Sequence, residues 1–559
     1  MDPITSDLMR HSLLYASEEM GIALRNSSYS PNIKERMDHS AALFDEKGRL
    51  LSQAEHMPVH LGSLPWGLSN ILEYCSRNSQ DVPLEEGTMI VTNNPYVAGT
   101  HLNDVTVVRP VYFEGELVAF AANKAHHADI GGKVPGSIST DAASLFAEGL
   151  IMNPVQLMRK GEFVSETLST FMANTRTPHE RKGDLKAQVA ANITGERRII
   201  ELILRYGLES FSEAAEQSFA YAEKMMKSRV AAIKPGKYKA LDYLEHPDGN
   251  DIKLMASVEV TDEKRIIIDY TGTDKQVPIP LNAVFGVTIS GVYYVIRALT
   301  GDDIPANYGA FSNVEIFAPE GTILHPTFPF PVAGGNVETS QRNADLIFLA
   351  LSKALPERVP AAAGGSMNNI MMGGLYKGRP WAFYETVGVG LGGRNGIDGI
   401  DGIHSNMTNT MNTPIEEMER TMPLIMERYE LRENSCGPGK FRGGCGIIRS
   451  YRAIGDSPIT FTYLAERGRH KPWGVVGGLS GSNARLLIRR KNSNGKGNEL
   501  PIKTTLTLDD GDIVEINTAG GGGYGMPRKR EEAKIRRDVE NGLVSISFAK
   551  KYFPQTRRK

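Results

Sequence analysis

The chain has 559 residues, of which 41% are hydrophobic and 23% charged, a composition typical of a globular protein with about two to four domains. Its 63 basic and 65 acidic residues leave a formal net charge of -2, which argues against nucleic-acid binding or a membrane-surface role for the body of the chain. The three cysteines are odd in number and lack metal-ligand spacing, which favours a reducing compartment. Neither a secretory leader nor a membrane-length apolar run is visible, so we expect a cytoplasmic protein with no membrane anchor.

The N-terminal segment, from residue 3 to about residue 24, is predicted to be an amphipathic helix because its apolar residues recur at helical spacing. A hairpin follows, in which the apolar stretches 41–44 and 49–52 flank a short loop whose Gly48 suits a positive φ. Asp38 is therefore expected to lie just before a strand.

Residues 117–123 form a short apolar run that predicts a buried strand, so that His126 and His127 emerge at its end. Adjacent strand residues face opposite sides, so at most one of these two histidines is expected to be a metal ligand. Residues 167 to about 219 are predicted to be mostly helical, with strands at 252–260 and 265–270 and a domain boundary near Ile233.

Two polar stretches follow in the middle of the chain. Residues 333–342 lead into an apolar run, so their amides could cap a helix and face a phosphate or carboxylate; a tight turn with a capping box is the alternative. Residues 404–416 carry so many amides and hydroxyls that we expect a hydrogen-bonded loop network, which either binds a ligand or stiffens an interface.

The fold class expected from these patterns is mixed α/β (α+β) and multidomain, with a helical, metal-bearing N-terminal region and a β-rich, glycine-rich C-terminal region. The C-terminal tail is basic but carries interspersed acidic residues, as on a solvated helix, so nucleic-acid binding is not expected there. The predicted divisions are an α/β metal-binding region at 1–233, a central α/β region with glycine-rich and Asn/Thr-rich loops at 234–425, a β-rich domain at 426–527 and a basic helical tail at 528–559.

The pattern with the clearest chemistry is a group of imidazoles and carboxylates within thirty residues. His101 and Asp104 are three positions apart, so one helical turn or a tight loop points both side chains the same way. With one of His126 and His127 they can share an ion, and two imidazoles with a carboxylate suit Zn, Mn, Fe or Co with positions left for water or substrate. The local sequence also allows a set of ordinary polar loop residues around a hydrogen-bonded histidine.

Motifs spread over nearly the whole chain carry a resemblance to a known family. They lie at residues 35–40, 93–96, 99–104, 131–132, 135–137, 334–342, 406–416, 442–446 and 520–525. In these motifs the chain resembles the hydantoinase B family, which includes subunits or regions of ATP-dependent hydantoinases, 5-oxoprolinases, caprolactamase and the acetone carboxylases. Asn94 and Ala98 depart from the pattern, because family members often have Asp and Gly at these positions.

The resemblance to the carboxylase metal site implies that His101, Asp104 and His126 are the metal ligands. Asp38 is then a fourth ligand or a catalytic base. His127 and Asp129 are alternatives or supporting partners of the ligands, and Asp38 or Asp129 could take a proton in catalysis.

The resemblance further implies a partner. Family enzymes activate their substrate with ATP on a hydantoinase A-type subunit or region, so we expect a hetero-oligomer in which this chain hydrolyses, at a divalent metal, a cyclic amide that the partner has phosphorylated. Hydantoins, 5-oxoproline and larger lactams all remain open as substrates. The alternatives are a subunit of an ATP-dependent ketone carboxylase that uses bicarbonate at the same metal, a non-catalytic scaffold subunit and, more remotely, an oxygenase iron site.

Overall fold

A computed structural model describes residues 2–54, 56–301, 303–493 and 497–555. Helices surround four separate sheets, so the mixed α/β fold expected from the sequence is confirmed. The helices are α1 (Pro3–Ser27), α2 (Pro31–Lys34), α3 (His60–Arg77), α4 (Pro95–Ala98), α5 (Ser165–Ala173), α6 (Pro178–Tyr206), α7 (Leu208–Val230), α8 (Phe285–Thr300), α9 (Ser340–Leu351), α10 (Ile415–Thr421), α11 (Glu532–Glu540) and α12 (Ile546–Tyr552).

Ten of the sixteen pairings that the structure describes in the four sheets join strands that are consecutive in the chain, and six join strands that are further apart. The strands are β1 (His39–Asp45), β2 (Leu50–Gln53), β3 (Met89–Thr92), β4 (Asp104–Phe113), β5 (Glu116–His126), β6 (Val155–Arg159), β7 (Glu162–Phe163), β8 (Gly236–Glu245), β9 (Asp251–Val260), β10 (Ile266–Asp269), β11 (Val314–Phe317), β12 (Asn369–Tyr376), β13 (Arg379–Glu385), β14 (Leu424–Leu431), β15 (Ile447–Ala453), β16 (Ile459–Leu464), β17 (Arg485–Arg489), β18 (Asn498–Leu500), β19 (Lys503–Leu508) and β20 (Ile513–Asn517).

The first helix confirms the prediction from apolar spacing. Asp2 caps α1, since its side chain accepts hydrogen bonds from the backbone N–H groups of Ile4 and Thr5, both at 3.1 Å. One face of α1 buries Met9 and Met20 in a core shared with α6 and the first sheet. Burial of such side chains contributes about 1.5–3 kcal/mol each, so packing rather than helix propensity holds α1 in place.

The first sheet has the strand order β2-β1-β5-β4-β3-β6-β7, and its strands pair antiparallel. The predicted hairpin of β1 and β2 and the predicted buried strand β5 are both present. Asp104 at the start of β4 lies opposite His126 at the end of β5. The register of these two central strands therefore places a carboxylate beside an imidazole in the interior.

The second sheet has the order β11-β10-β9-β8 and includes both strands predicted between residues 252 and 270. The helical segment expected at residues 167–219 is present as α5, α6 and the first part of α7. Its helix α6 packs on β4 and β5. The second sheet and α8 share one large core with the first sheet, so the two regions on either side of Ile233 are packed together.

Residues 333–342 differ from the expected loop, because the chain is already helical from residue 333 and passes through a π-helical turn, Gly335–Thr339, directly into α9. The glycines are needed for close packing rather than for a turn: a Cβ on Gly335 would lie 1.8 Å from the carbonyl oxygen of Asn282. The alternative of a tight turn with a capping box is therefore wrong, because these residues belong to the helix itself.

A carboxylate does face the start of this helix, but it belongs to the protein. The side chain of Glu148 accepts hydrogen bonds from the backbone N–H groups of Val332 (3.1 Å) and Ala333 (2.9 Å). Glu148 is buried, and burial raises its pKa to about 7 against the opposing effect of these two hydrogen bonds. The N–H groups at the start of the helix thus bind a carboxylate of the protein itself. The partial positive charge of a helix N-terminus favours such a contact.

The third sheet, β13-β12-β16-β19, and the fourth, β14-β15-β20-β17-β18, pack around a common apolar core. The C-terminal region is therefore β-rich as expected. Hydrogen bonds between β12 and β16 cross the boundary predicted at residue 425, and the proposed division of the chain into domains stays a prediction.

Helices α11 and α12 lie in the predicted basic tail, whose residues 556–559 are outside the described part of the chain. The tail is not fully solvated as expected, because Arg530 is buried and ion-paired with Asp398 and Asp538. No helix within the described ranges combines the length and the apolar character needed to cross a membrane.

Candidate metal centre

Three buried side chains converge at one end of the first sheet. Nε2 of His101 lies 3.1 Å from Nδ1 of His126, and Oδ1 of Asp104 lies 3.2 Å and 3.3 Å from these two nitrogens. Within the described ranges, these residues form the one group of three or more His, Cys, Asp or Glu side chains whose donor atoms all approach within 4.8 Å of one another. The structure thus brings together the three residues predicted to be metal ligands.

Two strand ends and one loop position the three donors. Asp104 and His126 are paired across β4 and β5, whereas His101 lies in the loop that follows α4. Gly99 begins this loop with φ of 88°, and the buried Nζ of Lys124 donates hydrogen bonds to the Ala98 carbonyl (2.7 Å) and the Thr100 hydroxyl (3.1 Å). The loop is therefore held from both sides, with His101 directed at the strand ends.

The donor set fits a divalent ion. Nitrogen and oxygen ligands lie about 2.0–2.2 Å from ions such as zinc, which places neighbouring ligand atoms about 2.8–3.6 Å apart, from octahedral to tetrahedral geometry. The observed triangle has sides of 3.1–3.3 Å. Nδ1 of His101 and Nε2 of His126 are buried and find no hydrogen-bond partner in the described part of the chain, so the polar contacts of both imidazoles lie within the cluster. One carboxylate with two imidazoles suits several first-row metals.

The electrostatics of the cluster centre on Asp104. Burial would raise the pKa of Asp104, but the charge and hydrogen bond of His101, together with His126 and His60, lower it well below its usual range. Burial lowers the pKa of His126 and of His60. For His101, burial is outweighed by the charge of Asp104, which raises the pKa of this imidazole. A cation that binds here therefore meets a charged carboxylate and displaces the proton of His101.

His60 is part of the site although the sequence analysis did not identify it. Its Nε2 lies 3.3 Å from Oδ2 of Asp104, and its Nδ1 lies 2.9 Å from the hydroxyl of Ser40. His60 therefore holds the carboxylate oxygen that does not face His101 and His126. It begins α3, 44 residues before Asp104, and no local spacing connects the two positions.

Asp38 borders the cluster. Its Oδ2 lies 3.9 Å from Nδ1 of His126 and 4.0 Å from Nη1 of the fully buried Arg36. Arg36 donates hydrogen bonds to the Tyr384 carbonyl (3.1 Å) and to the hydroxyl of Thr386 (2.8 Å). Asp38 is thus close enough to the cluster to act on a molecule bound there. The buried guanidinium of Arg36 lies next to the same carboxylate oxygen.

Residues from the third sheet cover the cluster. The ring of Tyr384 stacks on His126 with a centroid distance of 4.4 Å and an interplanar angle of 13°. The expected hydrogen-bonded network at 404–416 is present and adjoins this ring: Asn412 donates to the Thr386 carbonyl (2.7 Å), and the Thr413 amide donates to Glu385 (2.7 Å). The cluster is consequently enclosed between the first and third sheets.

His127 faces away from the cluster. Its Nε2 lies 2.9 Å from Oε1 of Gln188 on α6, and its ring meets the edge of Phe171 at 5.5 Å. Burial lowers the pKa of His127 to about 4. Of the two adjacent histidines, the structure brings only His126 to the cluster, in keeping with the alternation of side chains along a strand.

Asp129 is also outside the cluster. Both of its oxygens are hydrogen-bonded: Oδ1 accepts from the Gly131 and Arg176 amides (3.1 and 2.9 Å), and Oδ2 accepts from the Arg176 guanidinium (2.9 Å) and the Gly136 amide (3.2 Å). This carboxylate orders the glycine-rich loop at 131–137. Its position gives no support to the predicted role as a base.

Asn94, where family members often have Asp, caps the short helix α4. Its Oδ1 accepts from the Tyr96 amide (3.1 Å), and its Nδ2 donates to Asn153 (2.8 Å). A capping role requires only a side-chain oxygen, which Asn and Asp both provide. The departure therefore leaves this helix intact.

With the fold and the cluster described, the chain can be compared with known proteins. The family model described as Hydantoinase B/oxoprolinase matches residues 2–527. The chain belongs to this family. An uncharacterized protein of Methanocaldococcus jannaschii is 46% identical over 98% of this chain and 95% of its own length. The B-type subunit of a D-/L-hydantoinase of Pseudomonas sp. is 32% identical over 98% of this chain and 93% of its own length.

Other relatives in the family are much longer. The 5-oxoprolinase of Dictyostelium discoideum is 33% identical over 94% of this chain, which spans only 40% of that protein. Among solved structures, the ATP-dependent caprolactamase from Pseudomonas jessenii matches with a TM-score of 0.90 and 29% identity over 98% of this chain and 96% of that chain. Nucleotide-free acetone carboxylase matches with a TM-score of 0.91 over 99% and 79% of the two chains; at 18% identity, this likeness shows a shared fold.

Proposed function

We propose that this hydantoinase B family chain is the metal-dependent subunit of an ATP-dependent cyclic amide hydrolase. It acts on a ring that a hydantoinase A-type partner has phosphorylated. The observation that carries the proposal is the buried triangle of His101, Asp104 and His126, whose donor atoms are spaced as ligands of one divalent ion.

The names of the relatives support the reaction class and the partner. One relative of similar length is the B-type subunit of a hydantoinase, and a structural neighbour at 29% identity is an ATP-dependent caprolactamase. This chain aligns with about two fifths of a 5-oxoprolinase, so that longer relative contains a further region outside the alignment. We assign the use of ATP to a separate chain equivalent to that region.

The chemistry explains why two activities are needed. An amide carbon is a poor electrophile, and phosphorylation of its oxygen makes the carbon electron-poor and supplies a leaving group. A divalent ion held by His101, Asp104 and His126 would lower the pKa of water and so provide hydroxide near neutral pH. Water adds at the activated carbon, and the carbon–nitrogen bond breaks as the ring nitrogen takes up a proton and leaves as an amine. The acyl phosphate that remains is hydrolysed by a second water molecule to a carboxylate and inorganic phosphate.

The chain's own residues have separate roles in this proposal. His60 fixes the orientation of Asp104 through Oδ2, and Tyr384 fixes the plane of the His126 ring by stacking. Asp38 accepts a proton from the attacking water at Oδ2, on the side of the cluster where Arg36 stabilises its negative charge. Because all these side chains are buried, bulk water is excluded and electrostatic effects on the reacting group are strengthened.

The test uses this chain purified together with its hydantoinase A-type partner. ATP consumption and ring opening are measured on a panel of hydantoins, 5-oxoproline, lactams and ketones, each with and without bicarbonate. We expect ring opening without bicarbonate, together with about one divalent ion per chain. The His101→Ala protein should lose both, whereas His11→Ala, an exposed change on α1, should keep both.

Each of the other outcomes identifies a different function. Strict bicarbonate dependence on a ketone would make the complex a carboxylase and refute the hydrolase proposal. A chain that binds no metal while the complex opens rings at full rate would be a scaffold. A His101→Ala protein with full metal content and full activity would refute the assignment of the site.

A further inference from the structure

Two cavities of very different size lie next to each other near the cluster. The small one, about 10 Å³, is bordered by Asp104, His126, His60 and Asp38 and has room for about one water molecule. The large one, about 490 Å³, lies between the segment before α3 and the end of α8, and its volume is within the range of small-molecule sites. In this conformation a substrate fits the large cavity but cannot fit beside the cluster.

A single side chain borders both cavities. Met57 lines the large cavity on one side and the small cavity on the other. The loop at 404–416 continues the same wall, since Thr408 faces the small cavity and Asn409 the large one, and Asn409 donates to the His56 carbonyl at 2.6 Å. Methionine is unbranched and changes rotamer easily, so a shift of Met57 is the least costly way to join the two spaces.

The large cavity has the chemistry of a site for a small, weakly polar ring. Its walls include Pro58, Leu61, Tyr294 and Ala298, which supply mostly apolar surface. The polar residues Gln53, Arg297 and Asn409 also border this space.

We infer that the 490 Å³ cavity receives the carbon skeleton of the phosphorylated cyclic amide, and that Met57 separates this cavity from the metal cluster. This inference rests on the proposed function, because it assigns the route to that same cluster. The reacting carbon reaches the cluster when Met57 moves aside, while the rest of the ring stays in the large cavity.

The chain offers a matched pair of variants. Met57 and Met367 are both buried methionines that border the small cavity, but only Met57 also borders the large one. Truncation to alanine enlarges the small cavity in both cases, and joins it to the large cavity only in Met57→Ala. The probe is the small chelator pyridine-2,6-dicarboxylate, which is added to the Co²⁺-loaded complex. The rate of Co²⁺ loss is measured at several chelator concentrations, and the readout is the part of this rate that rises in proportion to the concentration.

We expect Met57→Ala to raise this rate at least tenfold and Met367→Ala to change it less than twofold. A third variant, Leu61→Trp, carries no other change and fills the large cavity from a half-buried position. It should lower the rate of metal loss several-fold. It also serves as the test if Met57→Ala does not fold. Equal rates in the two alanine variants, or no effect of Leu61→Trp, would overturn the route while leaving the metal site intact. Absence of bound Co²⁺ in every protein would overturn the metal site and the route together.

Discussion

The neighbouring histidines His126 and His127 allow a decisive test of the metal centre. Both are buried and differ by one position in sequence, yet one contributes to the triangle and the other bonds to Gln188. We compare His126→Ala with His127→Ala. The first should remove a metal ligand, whereas the second should remove only a hydrogen bond and packing.

The magnitudes follow from these contacts. Structural zinc sites with four ligands bind with about 10–16 kcal/mol, which is about 2.5–4 kcal/mol per ligand. At about 1.4 kcal/mol per factor of ten, loss of His126 should weaken metal binding about 100- to 1,000-fold. His127→Ala should leave metal affinity within about threefold, but it strands Oε1 of Gln188 and should lower the free energy of unfolding by about 1–3 kcal/mol or more.

Metal affinity is measured by competition with a chromophoric chelator, and stability by denaturant unfolding of the metal-free proteins. Metal affinity should separate the two variants, whereas both should lose stability, because both histidines are buried and packed against aromatic rings. If His127→Ala lost the metal and His126→Ala retained it, the assignment of the triangle would be refuted. If both kept wild-type affinity, the metal would have to bind elsewhere.

Three further predictions test residues around the triangle. His60→Ala, which releases Oδ2 of Asp104, should weaken metal binding about 10- to 100-fold in the same competition assay; an unchanged affinity would show that His60 does not orient the ligand. Asp129→Asn should keep metal affinity but lower the free energy of unfolding by about 3–5 kcal/mol, because it leaves the partner of a largely buried ion pair uncompensated; loss of metal with normal stability would contradict the structural role. Glu338 has its pKa raised to about 8, first by burial and then by the charge of Glu466, so the stability that its protonation contributes is fully present below pH 4.5 and is lost as the pH rises through about 8. Glu338→Gln should therefore become more stable relative to wild type by a few kcal/mol between about pH 5 and pH 9 in urea titrations, and a constant difference would exclude this titration.

The local sequence pattern was enough to predict a helix or strand wherever that element depends on the spacing of its own residues. The apolar spacing of α1, the glycine of the β1–β2 hairpin and the apolar run of β5 each predicted an element that is present. The alternation of side chains along a strand also explains why only one of His126 and His127 reaches the cluster. The three residues of the triangle came from short spacing and from the family motif together.

The remaining features depend on contacts between distant parts of the chain, which spacing does not encode. His60 meets Asp104 only because α3 packs beside the first sheet. The glycines at 334 and 335 allow close contact with a carbonyl some fifty residues earlier, rather than a turn, and the carboxylate at the start of that helix comes from Glu148. Asp129 had the right chemistry for a base, but Arg176 and neighbouring amides already use both of its oxygens.

The stacking of Tyr384 on His126 makes the enclosed cluster depend on two distant parts of the chain. All three donors lie before residue 127, yet the ring and the loop that enclose them come from beyond residue 380. A fragment ending near Ile233 would contain every donor atom and still present them to open solvent, where an ion would keep more of its own water. The N-terminal portion alone would thus resemble a weak, unselective metal binder, and the enclosed cluster exists only when the two halves of the polypeptide are folded against each other.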